Sequence, residues 1–425
     1  MRIESVRATA GVSGFFFDDQ RAIKEGATQD GFTYEGTPVT EGFEQVRQPG
    51  ESLLVEVVLD DGRIGRGDCA AVQYSGAGGR DPLFRADDYQ AVVEGPVADA
   101  LVGTDPTEFG DAAARLEGMV SPHDPSAQLH TAVRYGVSQA LLDAAASAQA
   151  TTKATVLADA LDTTPATEPI PVFGQSGDDR RLNAEKMLCK RVGVLPHGLF
   201  NSVEKVGADG ERLLEYVRWL SDRTTELAVD GYEPRFHVDV YGLFSEVFGP
   251  PYDREEVVDY VADLEAAADP FDLQLEGPMD EGGRHAQIHA MAELREGLAD
   301  AGVDVAIVAD EWCDTFDDVR AFVDEGAADL VQVKTPDLGG IQRSARAVRY
   351  CEGTDVRAYL GGTCNETDLS ARTCAHVALA TEPAQVLAKP GMGFDEGYTI
   401  VENEMRRTVR RHEIDGIAST TGVHQ

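Results

Sequence analysis

Three acidic residues stand at equivalent places in three similar short runs of this 425-residue chain. They are Asp239 in HVDVYG, Glu276 in QLEGPM and Asp310 in VADEW, and they follow one another at intervals of 37 and 34 residues. Each ends a mostly apolar run with the character of a β-strand. For any one of these acids a solvated loop charge is the ordinary reading. Three at matching strand ends should converge at one rim, where they would repel one another and lose hydration. A hard divalent cation offsets that cost, and all-oxygen ligation with open positions suits Mg²⁺.

The next such run is VQVKTPDLGG, Val331–Gly340. Gln332 and Lys334 are two apart and share one strand face, with Val331 and Val333 on the other. A strand buried on both faces should be apolar, so the polar pair needs a reason. A nearby divalent cation disfavours an ammonium, so the Lys334 pKa is expected to be lowered and its amine to serve as a base. A salt bridge to one of the acids is the plainer alternative. His197 ends an earlier run, after Leu195-Pro196, and its place at a strand end favours a role in the site over that of a core histidine. Gln175, Thr363, Cys364 and Lys389 end further runs. A nucleophilic Cys364 is disfavoured because no general base is indicated beside it, which leaves polar binding or packing. A divalent cation with a lysine base fits one reaction class. The metal binds a substrate carboxylate, Lys334 removes the neighbouring carbon-bound proton, and the enediolate charge is held by the metal.

The elements that must position these residues follow from the pattern after Pro169. Strand candidates are Pro171–Gln175, Val194–Phe200, Arg235–Val240, Leu273–Glu276, Val305–Asp310, Leu330–Lys334, Ala358–Gly361 and Val386–Lys389. Helical periodicity lies between them, as at Glu211–Ala228, Glu255–Ala268, Ala286–Ala299 and Phe316–Glu325. Eight strand–helix units predict an α/β fold of TIM type, a (β/α)8 barrel, which keeps its chemistry at the C-terminal strand ends. Ahead of it, Ile3–Val6 and Leu53–Leu59 read as strands, with a turn at Asp60-Asp61-Gly62. The intervening FFFDDQRAIKEGATQDGFTYEG reads as a long surface loop. Asp87–Ala150 reads as helical, most clearly over Leu129–Ala148, and Thr151–Pro169 as a linker. The glycines of GDCAAVQYSGAGGRDPLF, Gly67–Phe84, do not follow a strand and open a helix in dinucleotide fashion. They suit a flexible lid over a site elsewhere, or a plain surface loop.

Composition bounds the partners. A net charge of −38, from 75 acidic and 37 basic residues, argues against nucleic acid. The acids are spread along the whole chain, which suits a salt-adapted organism. The Debye length is roughly 3 Å at ~1 M salt, so surface repulsion is screened there. No apolar run is long enough for a membrane span, and MRIESVRATAGVSG lacks the apolar core of a signal peptide, so a soluble cytoplasmic protein is expected. The six cysteines have no framework spacing and are expected as reduced thiols.

At this point the motifs resemble the methylaspartate ammonia-lyases of the enolase superfamily, over nearly the whole chain. The resemblance is carried by GFFFDDQRAIKEGATQDGFTY, GDCAAVQYSGAGGRDPLF, QSGDDR, VLPH, FHVDVYG, EGPMD, ADEWC, QVKTPDLGG, GGTCNET and LAKPGMGFDEG. QYSGAGGRDPLF and KTPDLGG are the most specific. The resemblance implies Mg²⁺-dependent elimination of ammonia from L-threo-3-methylaspartate to give mesaconate, activated by a monovalent cation such as K⁺. It implies Asp239, Glu276 and Asp310 as Mg²⁺ ligands and Lys334 as the base for the C3 proton of the (3S) substrate. His197 would face Lys334 across the substrate, bonding the metal-bound carboxylate and serving as base for the other C3 epimer. Gln73, Gln175, Gln332, Thr363 and Cys364 would bind the amine and carboxylates. It further implies a homodimer and an α+β capping domain, about 1–165, on a barrel domain of 166–425. Departures from the family pattern lie around Pro122–Asp124 and Phe248–Tyr252, in surface loops. The rival readings are a racemase or dehydratase of the same superfamily, disfavoured because the second strand ends in LPH where such racemases present KxK, and a catalytically inactive binding barrel, disfavoured by the intact triad and Lys334.

Overall fold

The computed structural model describes residues 1–76, 79–227, 229–249 and 253–421, with side chains as far as Asp415. Residues 77–78 of the glycine-rich segment, residue 228 at the expected end of a helix, and residues 250–252 of the Phe248–Tyr252 stretch lie outside the described residues. The chain opens with β1 (Ile3–Asp18), a small hairpin of β2 (Thr28–Asp30) and β3 (Thr33–Glu35), and then β4 (Arg47–Leu59) and β5 (Ile64–Cys69). β1, β4 and β5 form an antiparallel sheet. The turn from β4 to β5 falls at Gly62, at φ 86°, where the sequence places it. The helix Thr131–Gln149 packs across β5 so closely that a Cβ on Gly65 or Gly67 would strike its backbone.

Two expectations for this half of the chain are corrected. The long loop proposed between the first two strands is largely ordered. Phe15–Asp18 continue β1, with Phe16–Asp18 pairing with Arg47–Pro49, and Asp19 caps the short helix Gln20–Lys24 while accepting from Val39 and Thr40. Those pairing partners lie about thirty residues away in sequence, beyond the reach of local pattern. The supposed linker holds the helix Lys153–Ala160, whose N-cap is Thr152.

The second half is a closed barrel of eight parallel strands: β6 (Val172–Phe173), β7 (Val194–His197), β8 (Arg235–Asp239), β9 (Leu273–Glu276), β10 (Val305–Ala309), β11 (Leu330–Val333), β12 (Arg357–Leu360) and β13 (Gln385–Leu387). Every expected barrel strand is present: Leu273–Glu276 is as expected, the last two begin one residue earlier, and all but Leu273–Glu276 end sooner than expected. Side chains alternate. Phe236, Val238, Leu275, Val331 and Val333 join the main core with the surrounding helices, whereas Phe173, Val194, Val308, Leu330, Tyr359 and Leu387 form an inner cluster. His237, Asp239, Glu276 and Gln332 share the inward parity, so the polar rim grows out of the barrel interior. No helix among the described residues is long and apolar enough to cross a membrane.

Candidate active site

Five neighbouring strands, β7 to β11, carry the central groups at their C-terminal ends. His197 ends β7, Asp239 ends β8, Glu276 ends β9, Asp310 follows β10 and Lys334 follows β11. The acids thus lie between an imidazole and an amine on strands that face each other across the ring. At or just past the strand ends the backbone turns through left-handed conformations, at His197 (φ 66°), Tyr241 (φ 52°), Gly277 (φ 56°) and Trp312 (φ 62°). Non-glycine residues held there cost roughly 1–3 kcal/mol each, and such strain gathers at sites where the surroundings over-determine the backbone.

Asp239, Glu276 and Asp310 each offer a carboxylate oxygen, and the three oxygens lie within 4.8 Å of one another. Burial, followed by the charge of Glu276, raises the Asp239 pKa, and burial with Asp310 raises that of Glu276. Glu311, which the sequence did not single out, is a fourth, half-buried carboxyl here, its pKa raised by desolvation and by Asp310 and Asp239. Such a set resists simultaneous ionisation, and a divalent cation bound by oxygens relieves it. The donor set therefore fits Mg²⁺.

Lys334 Nζ lies 2.5 Å from Asp310 Oδ1 and 3.4 Å from Asp314 Oδ1. The expected lowering of its pKa belongs to the cation-bound site, and the protein's own acids act the other way. Burial alone would lower it, but Asp310 and Asp314 outweigh burial and raise it. A cation shared by the triad would compete with the ammonium for Asp310, which favours release of the amine. His197 Nε2 stands 3.4 Å from Asp239 Oδ2, and its buried Nδ1 has no partner among the described residues. Burial works against the imidazolium, yet Asp239 prevails and raises the His197 pKa.

The remaining predicted residues come from the segment after β5 and from the ends of β6, β11 and β12. Gln73 donates to Asp18 at 2.6 Å, and Asp18 is itself clasped by Arg47. Cys364 Sγ donates to Gln73 Oε1 at 3.5 Å, which joins the capping sheet to the loop after β12. Thr363 Oγ1 accepts from Asn365 N at 3.3 Å. Gln175 is buried with Oε1 unpartnered among the described residues. Gln332 Nε2 donates to Glu276 Oε1, so one of its contacts is with the triad itself. The glycine-rich segment reaches the barrel through Arg80, which bonds Asp337 at 2.9 Å and Asp314 at 2.5 Å. Lys389, the last strand-end candidate, is fully buried away from the triad against Glu366 at 2.9 Å.

Sequence reading also passed over His237, Gln385, Asp314 and Arg80. His237 and Asp239 are two apart on one strand, so the alternation that joined Gln332 to Lys334 was enough to find it. Gln385, on β13, and the loop residues Asp314 and Arg80 depend on which distant elements meet, and nothing local signals that.

A capped (β/α)8 barrel with three converging carboxylates and a lysine beside them is an enolase-type metal-dependent barrel. Comparison with known proteins narrows the class. Residues 1–162 match the family model described as methylaspartate ammonia-lyase N-terminus, and residues 164–414 the one described as methylaspartate ammonia-lyase C-terminus. The chain is 70% identical over 413 residues to the methylaspartate ammonia-lyase of Haloarcula marismortui, covering 97% of this chain and 98% of that protein. Its structure matches the Mg complex of β-methylaspartase from Clostridium tetanomorphum, with a TM-score of 0.92 and 50% identity over 98% of this chain and all of that one. It also matches the Citrobacter amalonaticus methylaspartate ammonia lyase containing (2S,3S)-3-methylaspartic acid, with a TM-score of 0.94 and 49% identity over 97% and 100%. The chain belongs to the methylaspartate ammonia-lyase family.

Proposed function

We propose that this chain eliminates ammonia from L-threo-3-methylaspartate to give mesaconate. The observation that carries the reading is the bracketing of the triad, with the Lys334 amine at one end and the His197 imidazole at the other. Asp239, Glu276 and Asp310 hold Mg²⁺, which supplies positive charge to the substrate carboxylate beside the carbon that loses its proton. Lys334 takes the C3 proton of the (3S) substrate. His197 hydrogen-bonds that carboxylate from the opposite side, and serves as base for the other C3 epimer. Gln73, Gln175, Gln332, Thr363 and Cys364 bind the amine and carboxylates and hold the leaving nitrogen in place. A monovalent cation such as K⁺ activates the enzyme. Residues 1–165 act as a capping domain over the barrel of 166–425, in a cytoplasmic homodimer.

The test is ultraviolet absorbance of the conjugated diacid after mixing the protein with the (2S,3S) substrate, Mg²⁺ and K⁺ at high salt. Absorbance should rise as ammonia is released. Lys334→Ala should lose ~10²–10⁴-fold in rate, the usual contribution of a general base, while still binding Mg²⁺. A wild-type rate in that variant overturns the role of Lys334, and a flat trace from the wild-type protein overturns the reaction.

A further inference from the structure

Beneath the rim, the barrel interior holds a histidine in contact with Glu276. His237 is fully buried, two residues before Asp239 on β8. Its ring stacks on Phe173 at 4.1 Å and 17°, and Tyr359 meets it edge-on at 5.6 Å. Both ring nitrogens are engaged. Gln385 Nε2 lies 2.7 Å from Nδ1, and Glu276 Oε2 lies 2.7 Å from Nε2. Gln385 is also fully buried, on the strand that closes the barrel.

The directions of these bonds are linked. A carboxylate only accepts, so the Glu276 contact calls for the ring proton on Nε2, and Nδ1 then accepts from the Gln385 amide. Nε2–H then donates to Glu276. The other carboxylate oxygen receives Gln332. With one donor on each oxygen the carboxylate plane is fixed, and each oxygen keeps a lone pair for a cation. Outer partners that fix a ligand's orientation are typically worth ~10–100-fold in metal affinity.

We propose that His237, oriented by Gln385, is a positioning residue for Glu276 and sets the affinity of the triad for its cation. The proposal rests on Glu276 being a cation ligand. Mg²⁺ binding to the full-length protein, followed by isothermal titration calorimetry at constant high KCl, tests both together. His237→Phe keeps the aromatic stack and removes the donor, and it should weaken Mg²⁺ binding ~10–100-fold. His237→Gln restores an N–H and should recover part of the loss, and Gln385→Leu, which frees the ring to flip, should fall between His237→Phe and wild type. Turnover of the His237→Phe protein should recover as Mg²⁺ is raised, shown as a rise in apparent activation constant with little change in kcat. A merely structural histidine would lower the melting temperature and leave the Mg²⁺ affinity alone. Wild-type affinity in folded His237→Phe overturns the proposal, and if that variant does not fold, wild-type affinity in Gln385→Leu does so. Glu276→Gln separates the two readings. Retained Mg²⁺ binding there refutes the ligand assignment, whereas its loss alongside an unaffected His237→Phe refutes only the positioning role.

Discussion

At Cys364 the choice between nucleophile and hydrogen-bond donor is decided by solvation. Burial pushes the thiol up to about 12, so the reactive thiolate is scarce at neutral pH. Its partners are Gln73 Oε1 at 3.5 Å and Thr363 Oγ1 at 3.9 Å, neither of which is a base. Cys364→Ser should keep elimination within about tenfold of wild type, and Cys364→Ala should raise KM more than it lowers kcat, as loss of a ground-state contact does. Rapid quenching followed by mass spectrometry should find no adduct on the wild-type protein. A trapped covalent species, or a ~10⁴-fold fall in kcat for the alanine variant, would reverse the assignment. At this scale the sequence was informative about residue types at strand ends and poor about charge balance. The three acids and Lys334 were legible from spacing. The upward pull of the protein's own acids on Lys334 was not, because Asp314 arrives through the loop after β10 and adds to Asp310. The expected role of Gln332 as a substrate contact likewise says nothing of its bond to Glu276.

Among the elements, the loops that end the barrel strands are tied down by a network that avoids the triad. Lys389 Nζ, after β13, bonds Glu366 Oε1 at 2.9 Å, Gly361 O at 2.6 Å and Thr335 Oγ1 at 3.3 Å. Glu366 Oε2 accepts from Tyr135 OH on the helix Thr131–Gln149 at 2.8 Å. The network therefore links the loop that carries Thr363 and Cys364, the residue next to Lys334, and the capping sheet's helix. A buried ion pair is weak grounds for stability as a pair, yet removing one partner strands the other charge at a cost of about 3–5 kcal/mol. Lys389→Met should lose about that much in chemical unfolding at fixed salt, and adding Glu366→Gln, which retires the orphaned charge but keeps an acceptor for Tyr135, should recover at least half of it. A single-variant loss within ~0.5 kcal/mol, as for a surface substitution, would mean the pair is not coupled to the fold. Strands β6 to β13 were legible because each carries its own alternation and its own polar end. The Phe15–Gly36 stretch was not, because the order there comes from Arg47 pairing with Asp18 and from Asp19 gathering the amides of Val39 and Thr40. A lysine at a strand end looks the same in sequence whether it faces substrate or, like Lys389, a buried glutamate.

For the molecule as a whole, opposite contributions meet at the surface, and the counts decide between them. With 75 acidic and 37 basic residues, pairing every lysine and arginine would still leave about half of the acids without a partner. The ion pairs along the last helix are exposed, as with Arg406–Glu402, Arg410–Glu413 and Arg411–Asp415. Pairs of this kind are worth about 0.3–0.5 kcal/mol and are weakened by salt. If they dominated, salt would destabilise the fold. Repulsion among the excess acids acts over the Debye length, roughly 10 Å at 0.1 M and 3 Å at 1 M, so it is screened by salt over the same range. Because the excess is so large, repulsion should win, and the melting temperature should climb with salt. At about 2–4 °C per kcal/mol for domains of this size, a rise of roughly 10 °C between ~0.1 M and ~2 M KCl corresponds to a few kcal/mol of relieved repulsion. The measurement is thermal unfolding across KCl, NaCl and choline chloride at matched ionic strength, with sucrose as an uncharged control. Screening requires the three salts to act alike and sucrose to do far less at low salt. A curve that is flat or falls with salt would show that the exposed pairs outweigh the excess charge, and a response that follows cation identity would point to specific ion sites on the acidic surface.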